Sequence, residues 1–319
     1  MRATSTIKKA NPRIHSAGLK TNTNNYLLIA VNEQPMRTIK NIHDAEYSPI
    51  ADLITHSPLP SKSVDQIDPF LFLNHHGPQI YKPDNNGLPF GPHPHRGMEI
   101  VTFILEGDVI HKDSEGHKSM ISAGGIQWLT TGSGLIHAEV SSDEFKKKGG
   151  ALETVQLWIN LPERFKMVPP RYHGFQKENI PFVIADNGKA QINVISGRWE
   201  DIHGAYEPLT PIRLMTVEML GDARVSLDAP IEHNIFFYVV RGKLNVNGKD
   251  VHAKQLVEFN NDSEEIVISA HEDSYIIFGN AVPFREPVVA HGPFVMNSIE
   301  GIRLAYEDYM DGRFGSWYE

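Results

Sequence analysis

The stretch His93-Pro94-His95-Arg96-Gly97-Met98-Glu99-Ile100-Val101-Thr102-Phe103-Ile104-Leu105-Glu106-Gly107 holds both a structural and a chemical signal. Its second half, Glu99 to Leu105, is a β-branched and aromatic run closed by Glu106-Gly107-Asp108, the pattern of a buried strand ended by a turn. Its first half sets two imidazoles at positions i and i+2. Such residues point to one side of an extended chain, so His93 and His95 can offer two nitrogen donors to one point. The same spacing returns in His137-Ala138-Glu139, after Gly132-Ser133-Gly134-Leu135-Ile136. Two such strands facing each other across a barrel would supply imidazoles and a carboxylate to one ion. These donors suit Fe, Mn, Ni, Cu or Zn, and an octahedral ion would keep positions for water, dioxygen or substrate.

Working outward, strand patterns dominate. Gly125 to Thr130 and Leu152 to Asn160, the latter stopped by Pro162, are short apolar runs between turn residues. The second half continues with His233 to Gly242, Lys243-Leu-Asn-Val246, a turn at Asn247-Gly248, and Val267-Ile-Ser269. The 25 glycines and 21 prolines suit the many tight turns of an all-β chain. Ile100 to Gly107 and Ile235 to Gly242 are alike, each a hydrophobic strand closed by a charged residue and Gly, which fits duplication of one barrel. The expected division is an N-terminal extension over 1–35, a metal-binding barrel over 36–168 and a second barrel over 169–319, with the junction in Asn160 to Pro170. One helix pattern is clear, Ser298 to Tyr309, with Ile299, Ile302, Ala305 and Tyr306 on one face.

Composition narrows the function classes. A chain of 319 residues with a net charge of −9 is not built to coat nucleic acid, which needs a basic face. With no cysteine, disulfides and thiolate metal sites are excluded, so a transition metal must use His and carboxylate oxygen. No apolar run reaches the ~18 residues of a membrane span. The expected location is the cytoplasm.

Gly87-x5-His93-x-His95-x3-Glu99 with Gly107 resembles the first cupin motif, and Gly132-x-Gly134-x2-His137 the end of the second. A closer resemblance is to the pirin family. It is carried by Asp68-Pro-Phe-Leu71, Pro92-His-Pro-His-Arg-Gly97, Gln127-Trp128, Gly134-Leu-Ile-His-Ala-Glu139 and Leu157-Trp-Ile-Asn-Leu-Pro162. In the C-terminal region it is carried by His291-Gly-Pro-Phe-Val-Met-Asn297 and Gly312-Arg-Phe-Gly315. The resemblance implies an all-β fold of two tandem jelly-roll-type cupin barrels with a short C-terminal helix. It also implies one divalent metal, commonly iron, in the first barrel. Spacing leaves Glu99 and Glu139 both open as the carboxylate ligand; the resemblance selects His93, His95, His137 and Glu139, with Glu99 orienting a ligand imidazole. His233, His252 and His271 stand singly and receive no ligand role. Leu73-Asn-His-His-Gly-Pro78, read as a loop, departs from the family pattern, and His75 or His76 would touch substrate if it lies near the metal.

Two functions follow from the resemblance. One is a flavonol-opening quercetin 2,3-dioxygenase using O2 on a small aromatic substrate, with Glu139 as base. The other is a redox-responsive regulator that binds a protein partner.

Overall fold

The computed structural model describes residues 35–317; all but the last residue of the expected extension lies outside them. Two β-barrels form, as expected, and each is a seven-stranded sheet facing a four-stranded one. In the first barrel the major sheet runs Arg171–Phe175, Ile126–Thr130, Met98–Glu106, Gly150–Asn160, Phe70–Tyr81, Thr55–Leu59, Glu46–Tyr47, all antiparallel. The minor sheet runs Phe90–His95, Leu135–Val140, Asp108–Asp113, Lys118–Ser122. The second barrel repeats the plan, with Asn234–Arg241, Ser274–Ala281 and Ile212–Met219 central in its major sheet.

Sheet membership departs from chain order in one place. Ile39–Asp44 pairs with Gln255–Phe259 in the second barrel, whereas Arg171–Phe175 pairs with Ile126–Thr130 in the first. The second barrel therefore takes an edge strand from before the first, while Arg171–Phe175 follows directly on the first barrel's own strands as its edge.

The period of two along each strand decides what lies where. In Met98–Glu106, Met98, Ile100, Thr102 and Ile104 face the first barrel's interior. Val101 and Phe103 face outward into an apolar cluster with Leu214, Phe236, Tyr238 and Ile277 of the second major sheet. The two major sheets thus stack on each other and bury a shared core. The second barrel's own interior is apolar throughout, filled by residues such as Val194, Met215, Phe237, Leu244, Ile268 and Phe278. Among the described residues it brings no three-residue donor set together for a metal.

The first barrel's interior differs. Apolar clusters close it at both ends, around Leu88, Ile104 and Leu152 at one and Met98, Leu129 and Leu135 at the other. Between them stand buried Thr102, His111, Gln127, His137 and Glu139. A polar layer inside a barrel is costly unless every group finds a partner, which makes this layer the place to look for chemistry.

The C-terminal helix spans Ile299–Met310, with the Ser298 side chain capping it through Gly301 N. Ile302 and Ala305 are buried as expected, but Ile299, the first residue of the helix, is 80% exposed. A short helix that sequence reading missed, Asp143–Lys148, is capped by Ser142 and buries only Phe145. Among the described residues no helix is long and apolar enough to cross a membrane.

Candidate metal centre

Strands Phe90–His95 and Leu135–Val140 are antiparallel neighbours, with His137 opposite His93 and Leu135 opposite His95. The alternation that puts His93 and His95 on one face, and this register, bring His93, His95 and His137 together. One donor nitrogen from each lies within 4.8 Å of the others. The ring centroids stand 4.5 Å apart for His93 and His137, 4.9 Å for His93 and His95, and 5.0 Å for His95 and His137. His95 and His137 are buried and His93 is half-buried, so the cluster opens toward solvent on the His93 side.

Backbone carbonyls orient two of the rings. His93 Nδ1 bonds Gly91 O at 2.7 Å, and His95 Nδ1 bonds Pro293 O at 3.2 Å. As donors to carbonyls, both rings carry the proton on Nδ1 and leave the Nε2 lone pair free, the tautomer a metal needs. His95 Nε2 and both nitrogens of His137 are buried without a hydrogen-bond partner. Burial, then the neighbouring imidazoles, holds His95 down at about 3 and His137 well below the ordinary histidine range, so both rings are neutral donors at pH 7. Orphaned buried polar atoms are rare and destabilising. Converging imidazoles, two of them buried and neutral with an unpartnered nitrogen each turned into the cluster, fit a bound cation.

Glu139 stands next to this cluster but is not among the side chains whose donor atoms converge. A β-bulge separates it from His137 and turns it toward Phe90 in the pairing. Its carboxylate accepts from three donors: Thr102 Oγ1 at 2.8 Å and Gln127 Nε2 on Oε1, and Gln156 Nε2 at 2.6 Å on Oε2. Both amides are themselves fixed, since Gln127 Oε1 accepts from Tyr172 and Gln156 Oε1 from Trp158 Nε1 at 3.0 Å.

Glu99 faces the other way. It lies on the outward parity of its strand, with Oε1 accepting from Thr130 at 2.8 Å, and burial pushes its carboxyl up to about 7. Its neighbours are Thr130 and residues of the inter-barrel core, so it does not orient a ligand imidazole.

The segment read as a loop around His75 and His76 is a strand, Phe70–Tyr81, and it sends the two rings to opposite faces. His76 points inward, where it lines a hollow of about 10 Å³ with Phe90, Thr102, Glu139 and Gln156. Its Nδ1 is tied to Thr55 at 2.9 Å. His75 points outward and bridges the barrels between Tyr238 and Glu153, at 2.9 and 2.8 Å.

Sequence reading passed over His111. It packs flat on Tyr172, ring centroids 3.9 Å apart, and bonds Asp113 at 2.9 Å, with its ring 5.5 Å from that of His137. The signal was an i,i+2 pair, His111-Lys-Asp113, on a strand of the same minor sheet.

The C-terminal segment closes the site from outside. Arg96, next to His95, bonds Ser133 O at 2.8 Å, pairs with Asp308 at 2.8 Å and lies 4.7 Å over the Phe314 ring. Lys166 is buried against Gly97 O, Asn160 Oδ1 and Val295 O at 2.8–3.0 Å. At Gly97 the backbone is left-handed (φ +88°) and a Cβ would stand 2.0 Å from Val295 O, so only glycine fits.

Family profiles described as Pirin and as Pirin C-terminal cupin domain match residues 52–159 and 214–315. The chain belongs to the pirin family. A Pseudomonas aeruginosa pirin relative named "Putative quercetin 2,3-dioxygenase" is 37% identical over 248 residues, covering 78% of this chain and 87% of the relative. A solved structure of quercetin 2,3-dioxygenase from Acinetobacter baumannii superposes with a TM-score of 0.82 at 31% identity, covering 88% of this chain and 99% of that one. The bacterial pirin YhhW from Escherichia coli, solved with nickel(II), shares the fold at a TM-score of 0.60 and 23% identity, covering 76% and 99%. The chain is therefore a bicupin similar to quercetin 2,3-dioxygenases, with a three-histidine site able to hold a divalent metal.

Proposed function

We propose that this pirin is an iron-dependent dioxygenase that opens a flavonol-like aromatic substrate with O2, and that Glu139 completes the ligand set of His93, His95 and His137. The observation that carries the reading is the convergence of three imidazoles, two of them with buried unpartnered nitrogens, beside a buried carboxylate. The dioxygenase names of its relatives support the choice of reaction. A metal ion held there supplies Lewis acidity, which favours the ionised form of a hydroxyl that reaches it.

The chain's own residues set the rest. His93, the half-buried member, is the side from which a substrate arrives. The hollow beside Glu139, at about 10 Å³, has room for about one water and none for a flavonol. The ring system therefore rests at the mouth, and only its hydroxyl reaches inward. Glu139 Oε2, which accepts from Gln156 alone, keeps a lone pair with which to coordinate or to accept the hydroxyl proton. Thr102 and Gln127 would keep the other oxygen in place.

The test is oxygen uptake by the chain loaded with ferrous ion under anaerobic conditions and mixed with quercetin. The expected result is one O2 consumed per flavonol lost, and no uptake by His95→Ala. Absence of uptake with both iron and nickel loading, in protein shown to hold the metal, would overturn the assignment.

A further inference from the structure

The stacked major sheets do not meet along their whole length. On the second sheet, Ile195, Leu214 and Ile277 pack into the apolar contact with the first barrel. The same face of the same strands then turns polar, through Asn193, Thr216, Glu218 and Tyr275. A face that continues a dry interface has no need of such residues, and they form a bonded strip. Gln191 Nε2 donates to Asn193 Oδ1 at 2.8 Å, and Asn193 Nδ2 donates to Thr216 Oγ1 at 3.0 Å and reaches Glu218 Oε1 at 3.4 Å. Opposite them stand Phe103 and Ile126 of the first barrel. Between the two lies a cavity of about 210 Å³ that also meets Ile180 and Ile195. It shares Glu218, Arg241 and Tyr275 with an outer hollow of about 380 Å³, which gives it an entrance.

Size and charge restrict the occupant. Sites for drug-sized ligands measure roughly 300–1,000 Å³, so the inner cavity takes a single ring. Arg241 is engaged by Glu106 and Glu153, and Lys177 is balanced by the Glu218 carboxylate, so the lining carries no excess positive charge to recruit an anion. Glu218 has only its long bond from Asn193, leaving an acceptor for a ligand O–H. Burial keeps the Tyr275 phenol well above its ordinary value, so it remains a donor at any physiological pH. The apolar wall opposite the strip favours a flat ring over a fully hydroxylated saturated one.

We infer that this inter-barrel cavity is a second binding site, for a single aromatic ring carrying two or more hydroxyls. The ring lies against Phe103, Ile126, Ile180 and Ile195, and its hydroxyls engage Asn193, Glu218 and Tyr275. The site shares no residue with the metal centre, so it stands or falls apart from the proposed reaction.

The probe is resorcinol, titrated into the full chain by calorimetry, with myo-inositol as the saturated comparison. His95→Ala removes binding by phenol at the metal. The inference predicts saturable binding of one resorcinol, at low-millimolar Kd or tighter, unchanged in His95→Ala. Binding should weaken at least tenfold in Asn193→Leu and about fivefold in Glu218→Gln; the latter loses only a long hydrogen bond and keeps the fold testable. Loss of binding in His95→Ala, no effect of Glu218→Gln, or inositol binding as tightly as resorcinol would each overturn it.

Discussion

Replacing Arg96 with Met tests whether the C-terminal segment braces the metal-bearing strands. The guanidinium is almost fully buried and makes three contacts: Ser133 O at 2.8 Å, Asp308 at 2.8 Å and the Phe314 ring at 4.7 Å. A hydrogen bond from a charged donor contributes about 1.5–3 kcal/mol. The ring contact adds about 1 kcal/mol. The ion pair adds about 1 kcal/mol, since Asp308 keeps a second partner in Arg313 at 2.8 Å and is not stranded. Met retains most of the apolar stem, so cavity formation adds little. The loss comes to about 4 kcal/mol, or roughly 6 °C in the thermal midpoint at this size. Scanning calorimetry of the metal-free proteins measures it. The backbone bond from Val295 N to Arg96 O, at 3.0 Å, does not depend on the side chain, so metal stoichiometry at saturation should be kept. A midpoint that moves by less than about 2 °C would refute the bracing argument.

Two further outcomes are expected. Burial raises the Glu99 carboxyl from 4.5 to about 7, so the folded chain keeps a proton that the unfolded chain loses as pH rises between those values. Stability from this group is full below pH 4.5 and is lost through pH 7, about 3 kcal/mol in all. Glu99→Gln should therefore gain on the parent across that window and hold a constant advantage above it; parallel urea-midpoint profiles from pH 4 to 8 would contradict this. Gly97→Ala forces a Cβ to within 2.0 Å of Val295 O at φ +88°, and the obstacle is backbone that cannot rotate away. A cost of about 3 kcal/mol or more is expected in denaturant unfolding, and a change under about 1 kcal/mol would count against the packing described.

The three imidazoles were legible because their signal is local. Two residues apart on a strand fixes a shared face, and two such pairs need only one antiparallel register to meet. The carboxylate was not legible in the same way. Glu99 and Glu139 differ in which face of the pleat they occupy, and Glu139 also follows a bulge, which no i,i+2 rule anticipates. The loop reading of Leu73 to Pro78 failed because adjacent polar histidines and a Gly-Pro pair resemble a turn. In the fold this strand is buried on both faces, one histidine meeting the second barrel and the other the chamber. The placement of Ile39–Asp44 in the second barrel was hidden for a related reason. It is an ordinary strand whose partner, Gln255–Phe259, lies far along the chain, and local pattern does not carry long-range pairing.

The most direct test of the account is metal content. The parent chain and His95→Ala, His137→Ala and Glu139→Ala variants, equilibrated with ferrous or nickel ion and desalted, would be measured by elemental mass spectrometry, with circular dichroism confirming the fold. The parent should carry one ion per chain, the two histidine variants under a tenth of that, and Glu139→Ala a weakened site that fills only at higher metal concentration. An ion retained at full stoichiometry by folded His137→Ala would mean that the cation, if any, is held elsewhere.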